Sequence, residues 1–263
     1  MFSVVIPAYN CEQTICEALA SVTHQTRRDL IYEIIVVNDG STDSTKKKIQ
    51  KFIKENPDWN ICYLEQPHKG GSAARNRGIS DAGADWIALL DADDLWLPHK
   101  LERQYQIIEQ NPKILFLGSY THLKFWWRRH TGLYKLNARE LCVRSMPTTP
   151  SVVFHKATGI AHGLFEEGRR YCEDIQFFQK FLLDDSYYVL GEELVQISFQ
   201  KKYFAQSGMS SHLFKMYLGR DQNVRELHQM GLITAPYMYV MLTINMAKFL
   251  RRFMEQKINK AIG

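Results

Sequence analysis

The chain has 263 residues, of which 45% are hydrophobic, 12% aromatic and 23% charged. That is enough apolar material for one large folded domain, and it excludes a disordered chain, a collagen-like repeat and a disulfide-stapled miniprotein. The formal net charge of +5 sits at one end: from His212 onward eight Lys and Arg face three acids, and the rest of the chain is balanced. A neutral body with a basic tail points away from nucleic acid as a partner and towards an anionic surface touched at one end. Met1 leads straight into Phe2-Ser3-Val4-Val5-Ile6-Pro7 with no basic stretch before a long apolar run. The expected location is therefore cytoplasmic. The five cysteines are odd in number and show no CxxC spacing, so they suggest neither a disulfide framework nor a zinc knuckle.

The first half alternates strand and helix patterns. Ser3–Ile6 is an apolar run ending at Pro7, and Asn10 with Gln13 fits a capping box for a helix carrying Ile15, Leu19 and Val22. Glu33–Val37 (EIIVV) reads as a buried strand. Asp43 or Ser44 opens a second helix, which stops at Asn56-Pro57. Asn60–Leu64 is a third strand, Ser72–Ser80 a third helix, and Trp86–Leu90 (WIALL) a fourth strand. Pro98 begins a fourth helix ending near Asn111. Such alternation predicts an α/β fold: a mostly parallel sheet, right-handed crossovers and helices on both faces. Further on, Ile114–Tyr120 reads as a strand, Leu123–Trp127 with Leu133–Leu136 as a hairpin, and Val152–Phe154 as a strand. A helix follows from Glu173 to about Leu183, then two strands, Tyr187–Leu190 and Leu194–Phe199. From His212 the pattern is helical, which divides the chain into 1–211 and a C-terminal helical extension, 212–263.

In an open α/β sheet ligands bind beyond the carboxyl ends of the strands. Four successive strands deliver polar groups there: Pro7-Ala8-Tyr9-Asn10, Asn38-Asp39-Gly40-Ser41-Thr42-Asp43, Lys69-Gly70-Gly71-Ser72-Ala73-Ala74-Arg75-Asn76 and Asp91-Ala92-Asp93-Asp94. Asp91 and Asp93 at spacing i, i+2 point the same way on a strand, and repel each other unless a cation intervenes. Hard oxygen ligands of this kind suit Mg²⁺ or Mn²⁺, although a solvated acidic turn carries the same residues. Asp39 is placed to accept from a ligand N–H, or to form an Asx turn. Gly70-Gly71 with Lys69 and Arg75 allows close approach of an anionic ligand, or is a hinge. Glu173-Asp174 complement a helix dipole, and the same dipole keeps a general base ionised.

Five segments in this order, VVIPAYN (Val4–Asn10), VVNDGSTD (Val36–Asp43), GGSAARNRGI (Gly70–Ile79), LLDADD (Leu89–Asp94) and CED (Cys172–Asp174), resemble the inverting family-two glycosyltransferases over roughly residues 1–211. The resemblance implies the Rossmann-like GT-A fold and a UDP-sugar donor. It places Pro7, Ala8 and Tyr9 around uracil and ribose, Asp39 on the uracil N–H, and Arg75 with Ala74 beside the base. Asp91, followed by Ala92, holds the ribose, and Asp93 with Asp91 the Mn²⁺ or Mg²⁺ bridging the diphosphate. Asp174 is the implied catalytic base, with Glu173 beside it near the acceptor. His155 and His212 are candidates for a third metal ligand. The segment Lys201–Ser211 is similar to the KRxFGxSGLS-type segment of bacterial polysaccharide glycosyltransferases, which puts Lys201 and Lys202 on the diphosphate. The QxxRW motif of processive synthases does not occur, so single-sugar addition to a saccharide or lipid-linked saccharide is implied, in O-antigen, capsule or exopolysaccharide synthesis. A nucleotidyltransferase or phosphohydrolase using the same aspartates, or a non-catalytic nucleotide-sugar binder, are the competing readings.

In the tail, Gly231–Ala247 is uncharged and barely long enough to span a bilayer. Beyond it Ala247, Leu250, Met254 and Ile258 share one helical face, and Lys248, Arg252 and Glu255 another. The expectation is a helix lying on an anionic membrane surface, or docked on the catalytic domain, which makes the protein peripheral on the cytoplasmic face. Phe125–Arg129 is a second aromatic and basic cluster.

Overall fold

A computed structural model describes residues 1–121, 131–144, 147–197 and 212–262. In chain order the elements are β1 (Phe2–Ala8), α1 (Ile15–Thr23), β2 (Ile31–Asp39), α2 (Thr45–Glu55), β3 (Ile61–Gln66), α3 (Gly71–Asp81) and β4 (Trp86–Leu89). Then come β5 (Leu95–Trp96), α4 (Lys100–Gln110), β6 (Phe116–Thr121), β7 (Leu133–Lys135), α5 (Ala138–Arg144), β8 (Val153–His155) and α6 (Lys156–Ala161). The chain closes with α7 (Glu173–Phe178), β9 (Tyr187–Gln196), α8 (Leu213–Gln229) and α9 (Ala235–Ile262).

The strands form one sheet in the order β3-β2-β1-β4-β8-β6-β9-β5, with β7 also on β9. The β3-β2-β1-β4 portion is parallel throughout, as is β6 with β9, while β8, β5 and β7 pair antiparallel. The order departs outward from β1 through β2 to β3 and then returns to the other flank of β1. That reversal opens a crevice at the carboxyl ends of β1 and β4.

The β-branched runs are buried on both faces, and their side chains alternate between two cores. Val4, Ile6, Ile34 and Val36 pack with Ile15, Leu19 and Val22 of α1, Ile49 of α2 and Leu101 of α4. Val5, Ile35 and Val37 pack on the other side with Ala74 and Ile79 of α3 and with Phe177, Phe178 and Phe181. A third core joins Ala138 of α5 to Val224 and Leu227 of α8 and Met238 and Met241 of α9. Arg169 fixes the same junction. Its Nη1 is 2.6 Å from Glu226, and its Nη2 donates to Asn223. The C-terminal helices are thus docked on the domain through α8 and the first turns of α9. No helix among the described residues is long and apolar enough to cross a membrane.

Several sequence expectations change in detail. Asn10 does not cap α1; it adopts φ 45°, and its Oδ1 accepts from Thr42 N at 2.8 Å, tying the loops after β1 and β2 together. The two expected strands after α7 are one strand. β9 runs through Gly191-Glu192, and its register against β6 slips there, so that Ser119 faces Leu190 and Tyr120 faces Glu193. A bulge of this kind absorbs polar residues without ending the strand. Of the expected hairpin, Leu123–Trp127 lies outside the described residues, as does the Phe125–Arg129 cluster, and Leu133–Lys135 pairs with β9.

Candidate active site

Asp39 ends β2 with only 2% of its surface exposed. Its carboxylate accepts from Gln66 Nε2 at 2.7 Å, Lys69 N at 2.9 Å and Gly70 N at 2.8 Å, and lies 2.8 Å from His68 Nδ1. A carboxylate offers about four acceptor sites. Asp39 therefore folds the β3–α3 loop around itself: Gln66 is buried, Lys69 and Gly70 donate through the backbone, and His68 is the partner whose contacting side chain is exposed. The His68 ring stacks on Tyr9, centroids 4.1 Å apart with 24° between planes. Gly70, at φ 95°, makes the turn that points two backbone N–H groups at Asp39 and starts α3.

One turn into α3, Arg75 is almost fully buried. Its Nη2 donates to Asp91 Oδ1 at 2.8 Å, its Nη1 is 3.6 Å from Glu173 Oε1, and its guanidinium carbon sits 5.4 Å from the Phe165 ring centroid. Burial alone disfavours its charge, but Asp91 and Glu173 outweigh that and hold the guanidinium more firmly protonated than usual.

The strand β4 stops at Leu89, so Asp91 and Asp93 are gathered by a turn, closed by Asp94 N donating to Asp91 O at 3.1 Å, and not by strand alternation. Ligand oxygens of Asp91, Asp93 and Asp94 all lie within 4.8 Å of one another. Asp94 is fully buried, whereas Asp91 and Asp93 face the crevice. Three converging carboxylates are a donor set that fits Mg²⁺ or Mn²⁺. Neither His155 nor His212 joins this group. His155 pairs with Trp86 at the opposite end of β4, and His212 lies edge-on to Tyr171.

Pro7, Ala8, Tyr9, Asp39, Ala74, Arg75, Asp91, Ala92 and Asp93 all line one open crevice of about 580 Å³. Lys201 and Lys202 lie outside the described residues. Glu173 and Asp174 do not line this crevice; Glu173 meets it only through Arg75, and Asp174 lines a neighbouring cavity. They open α7 immediately after Cys172, which is left-handed at φ 57°. Asp174 Oδ1 accepts from Ile175 N at 2.8 Å. Burial, and then the neighbouring Asp174, push the Glu173 carboxyl up to about 7 against the pull of Arg75. Burial raises Asp174 as well. Arg75 is the bridge: one guanidinium joins the Asp91 turn to the acid pair.

Some contributors were not anticipated. His68 is an unremarkable loop residue in sequence, and only its contact with Asp39 and Tyr9 marks it. Asp174 lines a separate cavity of about 170 Å³ whose far wall comes from α8 and α9, including Arg220, Asn245 and Lys248. Nothing in sequence links residues so far apart.

A strand-end crevice with converging aspartates, at the reversal point of a mostly parallel sheet, defines a GT-A type nucleotide-binding fold. The chain matches the Glycosyl transferase family 2 profile over residues 3–168 and belongs to that family. An uncharacterized glycosyltransferase of Rickettsia conorii is 34% identical over 176 residues, covering 65% of this chain and 28% of that protein. The chain therefore spans little more than a quarter of that relative's length. The Escherichia coli UDP-Glc:alpha-D-GlcNAc-diphosphoundecaprenol beta-1,3-glucosyltransferase WfgD is 35% identical over 121 residues, 46% of each chain. Among solved structures, S. aureus TarS 1-349 in complex with UDP-GlcNAc superposes with TM-score 0.71 at 20% identity, covering 97% of this chain and 72% of that one. The mannosyltransferase PcManGT from Pyrobaculum calidifontis, in complex with GDP-Man and Mn2+, gives 0.72 at 17% identity, covering 94% and 69%. These likenesses establish the GT-A fold.

Proposed function

We propose that the protein transfers one sugar from a UDP-sugar to a hydroxyl of a saccharide or lipid-linked saccharide, with inversion at the anomeric carbon, in bacterial surface-glycan synthesis. The observation that carries this reading is convergence. Nine residues from the ends of β1, β2 and β4 and the first turn of α3 line one crevice, and Arg75 ties that crevice to Glu173, the neighbour of Asp174. Tyr9 and His68 form an aromatic wall for a base, and Asp39 meets its N–H once His68, the exposed partner, yields its place. Asp91 and Asp93 would hold Mn²⁺ or Mg²⁺, which supplies charge neutralisation for a diphosphate leaving group.

Asp174 accepts the proton of the acceptor hydroxyl as its oxygen bonds to C1. The C1–O bond to the diphosphate breaks on the opposite face, and UDP leaves with the electron pair. An α-linked donor then gives a β-linked product. The raised proton affinity of the acid pair suits a base working near neutral pH. Arg75 pairs with Asp91 and orients Glu173. The tail is proposed to touch an anionic membrane. Leu250, Phe253 and Met254 are exposed on α9, interleaved with Arg251 and Arg252. High salt should then release the intact protein from membranes.

The test is product stereochemistry. A panel of UDP-sugars and acceptors is screened, and the anomeric proton coupling of the product is read by NMR. A β product from an α donor is expected; a retained α linkage refutes the mechanism.

A further inference from the structure

The cavity beside Asp174 is not part of the nucleotide crevice. Its volume of about 170 Å³ is close to the 150 Å³ that accommodates a six-membered ring. Asp174 and Cys172 form one wall, and Arg220 of α8 with Asn245 and Lys248 of α9 form the other. A second cleft of about 90 Å³ between α8 and α9 adjoins it, sharing Arg220, Asn245 and Lys248 and adding Tyr217, Phe249 and Arg252. The same two helices expose apolar side chains, Phe214 and Leu218 on α8 and Leu250 and Phe253 on α9. The junction therefore brings together a carboxylate, a ring-sized space, a cluster of cations and exposed apolar side chains.

The cations lack the partners that such groups normally have. Among the described residues no carboxylate forms an ion pair with Arg220, Lys248 or Arg252. The acids nearest in sequence are engaged elsewhere: Asp221 accepts from Asn245 Nδ2 at 3.0 Å and bonds Tyr217, and Glu226 pairs with Arg169. Burial, and then Arg220, Arg252 and Arg251, pull the Lys248 amine below its usual range; burial and the same arginine neighbours lower Arg252. Two partly buried cations, Arg220 and Lys248, that line one cavity with no carboxylate partner are set up for an anion that arrives with the substrate.

We infer that the junction of α8 and α9 is the acceptor site, and that Arg220 and Lys248 bind a phosphate or diphosphate carried by the acceptor sugar while its hydroxyl faces Asp174. This rests on the transferase reading above, and it assigns the residues that would recognise a phosphate on the reducing end of such an acceptor. The basic excess of the tail then serves substrate recognition as well as any membrane contact.

The test measures binding to protein saturated with UDP and Mn²⁺. The probes are N-acetylglucosamine, its 1-phosphate, and its diphosphate ester on an eleven-carbon alkyl chain. The phosphate-bearing probes are expected to bind at least about tenfold tighter than the free sugar, in keeping with charge-assisted hydrogen bonding. Arg220→Gln and Lys248→Gln are each expected to lose about that factor, with UDP affinity within about twofold of the parent and melting temperature equal or higher, since a repulsion is relieved. Tighter binding of the alkyl diphosphate assigns a lipid-linked source; equal binding assigns a soluble sugar phosphate. Equal affinity for phosphorylated and free sugar, or full phosphate affinity in both variants, overturns the proposal. So does a result in which the variants lose only binding to phosphatidylglycerol vesicles. Failure of UDP itself to bind would instead strike the nucleotide-sugar reading, so the two failures are distinct.

Discussion

Replacing Glu173 with Gln is expected to stabilise the protein at pH 8 and to leave it nearly unchanged at pH 5. The Glu173 side chain is 12% exposed, and its carboxyl is pushed from 4.5 up to about 7 by burial and by Asp174. A carboxyl raised on folding contributes stability that is intact below its unfolded value and is lost as pH rises through its folded one. The loss therefore runs from about pH 4.5 to about pH 7. At 1.36 kcal/mol per pH unit, the full penalty is about 3 kcal/mol, an upper bound because Asp174 shares the titration. Gln mimics the protonated form and removes that penalty. For a chain of this size 1 kcal/mol shifts the melting temperature by roughly 2–4 °C, so a gain of several degrees at pH 8 is expected. Thermal unfolding of parent and Glu173→Gln at both pH values, without nucleotide or metal, is the assay. An equal shift at both pH values, or destabilisation at pH 8, would refute the reasoning that burial and Asp174 dominate over Arg75.

Asp174→Asn should lower kcat about 10³-fold, the scale of a lost general base, with UDP affinity unchanged by calorimetry. Arg75→Met removes the cation that Asp91 and Glu173 share; donor affinity and turnover should fall together, and a loss of turnover alone would contradict the bridging role. His68→Ala frees one acceptor site on Asp39 but removes the ring stacked on Tyr9; uridine affinity, read by titration, should change while the fold persists by circular dichroism. Gly78→Ala places a Cβ 2.6 Å from Val5 Cγ1 and 3.2 Å from Val37 Cγ2, wedging α3 off the sheet. A cost of about 1–3 kcal/mol is expected in chemical denaturation.

The parallel half of the sheet was legible because its strands are β-branched runs buried on both faces, and the helices between them carry clear boundaries at Asn56-Pro57 and Asn111-Pro112. The crevice was legible for the same reason: once strand ends are located, topology brings Asp39, Arg75 and Asp91 together. Short elements were not. β5 has two residues and exists because Leu95 and Trp96 pair with Gln196 and Val195 of β9. α5 and α6, at seven and six residues, are too brief for a periodic signal. The αL turn at Asn10 defeated a local capping argument because its side chain is claimed by Thr42, 32 residues away. The basic tail read equally as a membrane-surface helix or as one docked on the domain, because the contacts that dock it, Arg169 with Glu226 and Asn223 with Cys172 O, join residues more than 50 positions apart.

The central claim is that the aspartates closing β2 and following β4 grip one uridine diphosphate with the help of a divalent cation. Titration calorimetry of UDP into the parent and Asp93→Asn, each with and without Mn²⁺, addresses it directly. One UDP per chain is expected, bound at least about tenfold tighter with Mn²⁺, and that gain should vanish in Asp93→Asn. Absence of heat with any uridine nucleotide, or an undiminished Mn²⁺ effect in Asp93→Asn, would contradict it.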